Sequence, residues 1–207
     1  MCWSATADLV AGAGVAAVGV ACVTGARDSR DLPLAALPLL LGAHQIVEAM
    51  VWDSGGGSGA ATVLWAVMAM PLLTVWVPAA VWCAAPPSAR RRLTVLFAVG
   101  VVSAAALAHG IAVGPVTAEI RGRTVGYTLD LPHPALLVAG YLLATVGSLL
   151  LSGDRGLLVL GVVVGVGAAV CFTLWRLEFV STWCAFAALW SVLLLGWIRR
   201  RRPIEVM

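Results

Sequence analysis

The sequence predicts an all-α membrane protein, a seven-helix transmembrane bundle in one domain over residues 1–207, and three observations carry that prediction. The chain is 61% hydrophobic with a mean hydropathy of +1.00, against an apolar share of roughly 45–50% in soluble domains. Apolar runs near the ~20 residues that a helix needs to cross hydrocarbon recur seven times, at about 5–25, 33–53, 59–84, 93–114, 134–151, 156–175 and 180–198. They are too long and too little alternated for barrel strands. The 13 basic residues, all arginine, gather at alternate ends of those runs. Seven spans in 207 residues leave no length for a soluble domain.

Span one follows "MCWSATAD", which lacks a basic n-region and carries Asp8, so it reads as a retained helix and not a cleaved signal peptide. Its "GAGVAAVG" allows close backbone approach, as does Gly161-xxx-Gly165 in span six. Span three holds Pro71 and Pro78 on one face, where each removes a backbone hydrogen bond and predicts a kink. Between spans four and five, residues 115–133 form the long connection. There "AEIRGRTVGYTLDL" reads as a short β-hairpin about an Arg-Gly turn, either a lid over that end of the bundle or a solvated connector.

Orientation follows from the arginines, because basic residues stay on the cytoplasmic side. Arg27 and Arg30, the run 90–92, Arg155 and the run 199–202 follow spans one, three, five and seven. The other end holds only Arg121, Arg123 and Arg176, so the N-terminus is expected outside and the C-terminus in the cytoplasm, in a multi-pass plasma-membrane protein. The net charge of +3 then reflects inner anchors that suit an anionic leaflet, not nucleic acid. Trp3, Trp52, Trp175 and Trp183 fall near outer ends and Trp82 and Trp197 near inner ends, as an interfacial belt requires. Trp65, Trp76 and Trp190 lie deeper.

The candidate site begins in "LLLGAHQIVEAMVW". Glu48 lies five residues before Asp53, roughly 7–8 Å of helix rise from the outer end of span two. His44 stands one turn deeper on the same face, and Leu41 and Leu37 continue the stripe inward. A carboxylate facing lipid costs several kcal/mol, so this stripe must point into the bundle. It is either a mutually satisfied pair that fixes packing or a catalytic device. In the second case Glu48 is the general acid, His44 its orienter or proton relay, and Glu178 a second carboxyl held by Arg176 or by the hairpin arginines. Gln45, Trp52, Trp65, Trp76, His109, Arg176, Ser181 and Trp183 are the candidate substrate contacts. The inner half is close to pure hydrocarbon, which argues against a through-going pore.

Other chemistries compete. His44, Glu48 and His109 would make an open zinc site, with Cys2 or Cys184 adding a thiolate; without it, no cofactor is expected. The five cysteines match no zinc spacing, and Cys2 and Cys184, both at the outer surface, allow a disulfide in an oxidising compartment. His133 in "LPHP" reads as a loop residue. With no lysine in the chain, a retinal Schiff base is excluded.

At "MCWSATADLVAG", "LPLAALPLLLGAHQIVEAMVW", "VWVPAAV" and "FVSTWCAFAALWSV" the chain resembles an uncharacterised bacterial family of small multi-spanning membrane proteins. That family opens with Met-Cys-Phe-Ser, carries Gln-x-x-Glu-Gly-x-x-Trp after a Pro-Leu-Leu run, and has Ser-x-Trp-Cys in its last helix. The resemblance implies that Cys2, Ser4, Gln45, Glu48, Trp52, Ser181, Trp183 and Cys184 belong to its pattern, and it brings no activity. A shorter likeness is to the small seven-helix membrane terpene cyclases. There an acid after a proline-containing second helix and another near the last helix would correspond to Glu48 and Glu178; the preceding Asn and Trp of the cyclase pattern are missing.

The leading expectation is therefore an isoprenoid cyclase or lipid-modifying enzyme taking a hydrophobic small molecule or lipid among the membrane lipids. A non-enzymatic accessory or redox-sensing subunit is the alternative. A metal-dependent hydrolase resembling alkaline ceramidases is a third, although the paired histidines of their last helix are absent.

Overall fold

The computed structural model describes residues 4–174 and 179–201, with side chains over 4–171 and 186–201. Helix α1 (Ala5–Gly25) starts at Ser4, whose hydroxyl accepts from the N–H of Ala7 at 3.2 Å. Its buried stripe is Asp8, Gly12, Val15, Gly19 and Cys22, spaced as one helical face requires. A single 3₁₀ turn (Ser29–Asp31), capped by the Asp28 carboxylate on the N–H of Arg30, leads into α2 (Leu32–Ala35) and α3 (Leu37–Asp53). The expected second span is thus interrupted at Ala36, with Pro33 and Pro38 in the first turns of the two pieces, where a missing N–H is tolerated.

Helices α1 and α3 run antiparallel with their backbones nearly touching. A Cβ on Gly12 would stand 2.8 Å from the Gly42 carbonyl oxygen, and one on Gly19 would stand 2.7 Å from the Leu39 nitrogen. The small residues of span one are therefore a packing surface, as expected.

The third span is built from α4 (Ala60–Val67), a π turn (Met68–Leu72) and α5 (Leu73–Ala84). Pro71 lies inside the π turn, whose wider ring accommodates a residue that cannot donate. Pro78 sits within regular α5. Helix α6 (Pro87–Val113) begins six residues ahead of the expected span start at 93, because Pro87 at its first position lets the arginine run wind as helix. The bundle is completed by α7 (Pro134–Leu150), α8 (Arg155–Leu174) and α9 (Phe179–Arg200).

Between α6 and α7, β1 (Val116–Arg121) pairs antiparallel with β2 (Thr124–Leu129), from Val116 opposite Leu129 to Arg121 opposite Thr124. The two-residue connection is Gly122-Arg123, one position later than the Arg-Gly turn expected, with Gly122 at φ 64° where a type II′ geometry needs a positive value. The hairpin is not a free connector. Val116, Ala118 and Val125 are buried with Val47, Val51 and Trp65. Gly57 and Ala118 also exchange N–H···O bonds of 2.8 and 2.9 Å, adding a short third edge. Gly55, Gly56 and Gly57 hold φ of 74°, 80° and 82° to do so, which only glycine adopts freely.

Among the described residues, four stretches are long and apolar enough to cross a membrane: Ala5–Gly25, Ser29–Asp53, Ala60–Ala84 and Pro87–Val113. Pro134–Leu150 and Arg155–Cys171 are shorter apolar helices among the described residues. Outward-facing Val102, Val113 and Leu136 are about 70% exposed, an apolar surface that water penalises and hydrocarbon does not. A second core cluster, at the opposite end from the hairpin, centres on Leu34, Val81, Leu93, Leu157 and Leu194.

Candidate functional site

The packed face of α3 carries three polar side chains within two turns: His44, Gln45 and Glu48 are 4%, 2% and 0% exposed. The stripe does point inward. Trp65 of α4, wholly buried, lies against His44 with ring centroids 5.0 Å apart and planes tilted by 40°. Tyr127 of β2 then stacks on Trp65 at 3.4 Å and 5°. The order His44, Trp65, Tyr127 runs from the bundle interior to the hairpin, so the hairpin forms the roof over this part of α3. Thr62, one turn before Trp65, donates to the Gly57 carbonyl at 3.0 Å and fixes the start of α4 to the glycine loop bridged to β1.

From the other side comes Asp8 of α1, which is fully buried. The Gly12 Cβ position lies 3.0 Å from the Gln45 Cβ. Because α1 and α3 are antiparallel, Asp8, one turn earlier, stands level with the turn that bears Glu48. Two carboxyls thus enter the same buried layer from facing helices, in a chain that has only 10 acidic residues.

Several polar atoms in this layer have no hydrogen-bond partner among the described residues. They are both polar atoms of the Gln45 carboxamide and the indole Nε1 of Trp65 and of Trp52. A buried donor or acceptor left this way costs about 1–3 kcal/mol. Such atoms call for a polar guest.

Two turns along the same stripe, Leu37 and Leu41 form one wall of a cavity of about 80 Å³ between α3, α5, α7, α8 and α9. Tyr141, Phe186 and Trp190 face it from the other helices. Its one hydroxyl-bearing aliphatic residue, Thr145, turns its hydroxyl to the Tyr141 carbonyl at 2.8 Å, leaving an apolar and aromatic lining.

The remaining sequence candidates fall elsewhere. Trp76 is not at this layer: its indole donates to the Pro33 carbonyl at 2.9 Å, at the end where α2 begins. His109 is exposed on α6 and does not face His44 and Glu48. Arg176 and Glu178 lie outside the described residues, as do Cys2 and the side chains of Ser181, Trp183 and Cys184. Cys22, Cys83 and Cys171 are free thiols. Among the described residues no three His, Cys, Asp or Glu side chains gather in a way that would hold a metal ion.

Two members of the layer escaped the sequence reading. Asp8 served there only to argue against a signal peptide; its place four residues before Gly12, on the small-residue face, was the signal that it is buried. Tyr127 shares with Val125 and Leu129 the inward alternation of β2, a period of two that marks a packed strand face.

Compared with known proteins, the whole chain, residues 1–207, matches the family model described as a family of unknown function (DUF6629). No curated protein and no solved structure matches it.

Proposed function

We propose for this chain, which belongs to the family of unknown function DUF6629, an enzymatic role in the membrane: acid catalysis on an isoprenoid or lipid, with Glu48 as the acid. The observation that carries the reading is the buried polar layer of His44, Gln45 and Glu48 under the Trp65–Tyr127 stack, with unpartnered carboxamide and indole groups and an apolar cavity two turns further along α3. A substrate with a polar end and a hydrocarbon tail suits that pairing. The polar end would meet Gln45 and Trp65, and the tail would lie along Leu41 and Leu37 towards Trp190.

Chemically, the Glu48 carboxyl would give its proton to a substrate carbon–carbon double bond and leave a carbocation. Aromatic faces such as Trp65, Tyr127 and Trp190 stabilise positive charge without trapping it. Loss of a proton from the cyclised product, relayed by His44, would return Glu48 to its acid form. No cofactor is needed for this cycle. The arginine-rich ends of the helices are assigned to the cytoplasm and the hairpin to the outside of the plasma membrane, which puts the site at the level of the outer half of the bilayer.

The test compares lipid extracts of cells producing the parent protein and Glu48→Gln. The amide keeps the shape and removes the proton. Under this reading one isoprenoid or lipid species disappears, or its precursor accumulates, in the variant. Identical profiles, with both proteins present in equal amount in the membrane, exclude the reading.

A further inference from the structure

At the end of the bundle opposite the hairpin, α8 and α9 part to leave a groove of about 760 Å³. Its mouth carries Arg155, Arg200 and Arg201, and its walls include Val159, Val192 and Leu193. The cations divide into two sets. Arg201 is engaged inside the fold, with Nε 2.9 Å from Asp31 and Nη1 3.4 Å from Asp154, and its guanidinium 4.4 Å above the Trp197 ring. Asp154 is equally committed: it accepts from Trp197 Nε1 at 2.9 Å and from the N–H groups of Gly156 and Leu157 at the start of α8. The carboxylate of this groove is therefore neutralised locally.

Arg155 and Arg200 are exposed, and neither has a hydrogen bond or ion pair with the described residues. A third guanidinium reaches the rim from α6. Arg92 donates to the Leu151 carbonyl at 2.7 Å, and its Nη2 lies 3.0 Å from the Cβ position of Gly153, a lining residue. Away from this mouth, the outward faces of the two helices are aliphatic: Val159, Val162 and Val166 on α8, and Leu189, Val192 and Leu193 on α9. Cations at the mouth and hydrocarbon walls below describe a ligand that is anionic at one end and oily along the rest.

We propose that this groove binds an anionic phospholipid, with its phosphate held at Arg155 and Arg200 and its acyl chains lying along α8 and α9. Guanidinium groups match phosphate oxygens in fork geometry, and basic recesses between membrane helices are suited to anionic headgroups. A soluble anion would use the mouth and leave the walls bare. The inference does not depend on the chemistry assigned to Glu48, which lies in the hairpin-end layer of the bundle.

The experiment uses the full chain purified in an uncharged detergent. It is titrated with phosphatidylglycerol, with phosphatidylcholine of the same acyl chains, and with inorganic phosphate, while thermal unfolding and lipid retention by native mass spectrometry are followed. Phosphatidylglycerol is expected to raise the melting temperature saturably and to remain bound, and the other two are expected to do neither. The double substitution R155Q/R200Q should weaken the phosphatidylglycerol response by about tenfold or more while melting as the parent does without lipid, since both side chains are exposed and unpaired. The double substitution R121Q/R123Q on the hairpin, where Arg121 is paired with Glu119, should leave the phosphatidylglycerol response unchanged. Equal stabilisation by phosphatidylcholine, a full response to inorganic phosphate, or a phosphatidylglycerol response that survives R155Q/R200Q would each overturn the proposal. Equal weakening by the hairpin pair would reduce the effect to general charge attraction and overturn it as well.

Discussion

Replacing Arg201 by glutamine should destabilise the bundle more than any other single surface-end substitution, and the structure sets the size of the effect. The Arg201 side chain is 10% exposed and its partner Asp31 is 4% exposed, so their 2.9 Å ion pair is buried. The same guanidinium donates to the Ala84 carbonyl at the end of α5 and touches Asp154 in the loop before α8. One side chain thus ties four separate parts of the chain together. Removing the cation leaves the Asp31 carboxylate enclosed with nothing to balance it, and Asp31 Oδ1 already lacks a hydrogen-bond partner. Breaking a buried pair from one side costs roughly 3–5 kcal/mol. The Asp154 contact, with its carboxylate 29% exposed, adds only about 0–1 kcal/mol. At about 2–4 °C per kcal/mol for a chain of this length, the melting temperature should fall by roughly 6–24 °C. Fluorescence-detected size-exclusion after heating detergent-solubilised protein measures this directly. Asp31→Asn in the Arg201→Gln background should recover part of the loss, because the stranded charge is then gone. If Arg201→Gln melts within about 2 °C of the parent, the pair does not clamp this end of the bundle.

Two further outcomes follow from packing. Trp65→Ala empties a fully enclosed site between His44 and Tyr127 and should cost about 3–5 kcal/mol; limited proteolysis should then cut the hairpin near 121–124 at protein concentrations where the parent resists, and unchanged resistance would argue against the stack as its anchor. Gly42→Val places its Cβ 2.7 Å from the Gly12 carbonyl oxygen and from the Ala16 nitrogen, so the variant should yield little folded protein, whereas Gly14→Ala, with open space around it, should be tolerated; equal yields would contradict the α1–α3 contact.

How far the site was legible can be judged residue by residue. Glu48 and His44 could be placed on one inward stripe because helical periodicity is a local property of the chain and an ionisable group facing lipid is prohibitively costly. His109 is assigned to that layer by depth along its span alone, and Trp76 to a deeper level of the same pocket. Depth says nothing about azimuth, and the structure turns His109 outward on α6 and draws Trp76 to the Pro33 carbonyl. Tyr127 is the converse case: the alternation of β2 marks a packed strand face, but it does not say that Trp65, far away along the chain, is what that face meets.

By itself the amino-acid sequence determined that the molecule is mostly helical, with stretches long and apolar enough to cross a membrane. Hydrophobicity in runs of bilayer length, arginines at alternate ends, small residues in span one and prolines near helix starts act over a few turns, and each acts the same way wherever the helix ends up. Only the tertiary structure decided which faces meet: that Asp8 enters the layer of Glu48, that the hairpin roofs Trp65, and that Arg201 closes the opposite end on Asp31 and Asp154. Those pairings depend on how antiparallel helices are rotated and staggered against one another. Such choices are made by the summed contacts of distant segments, and no stretch of the chain contains them alone.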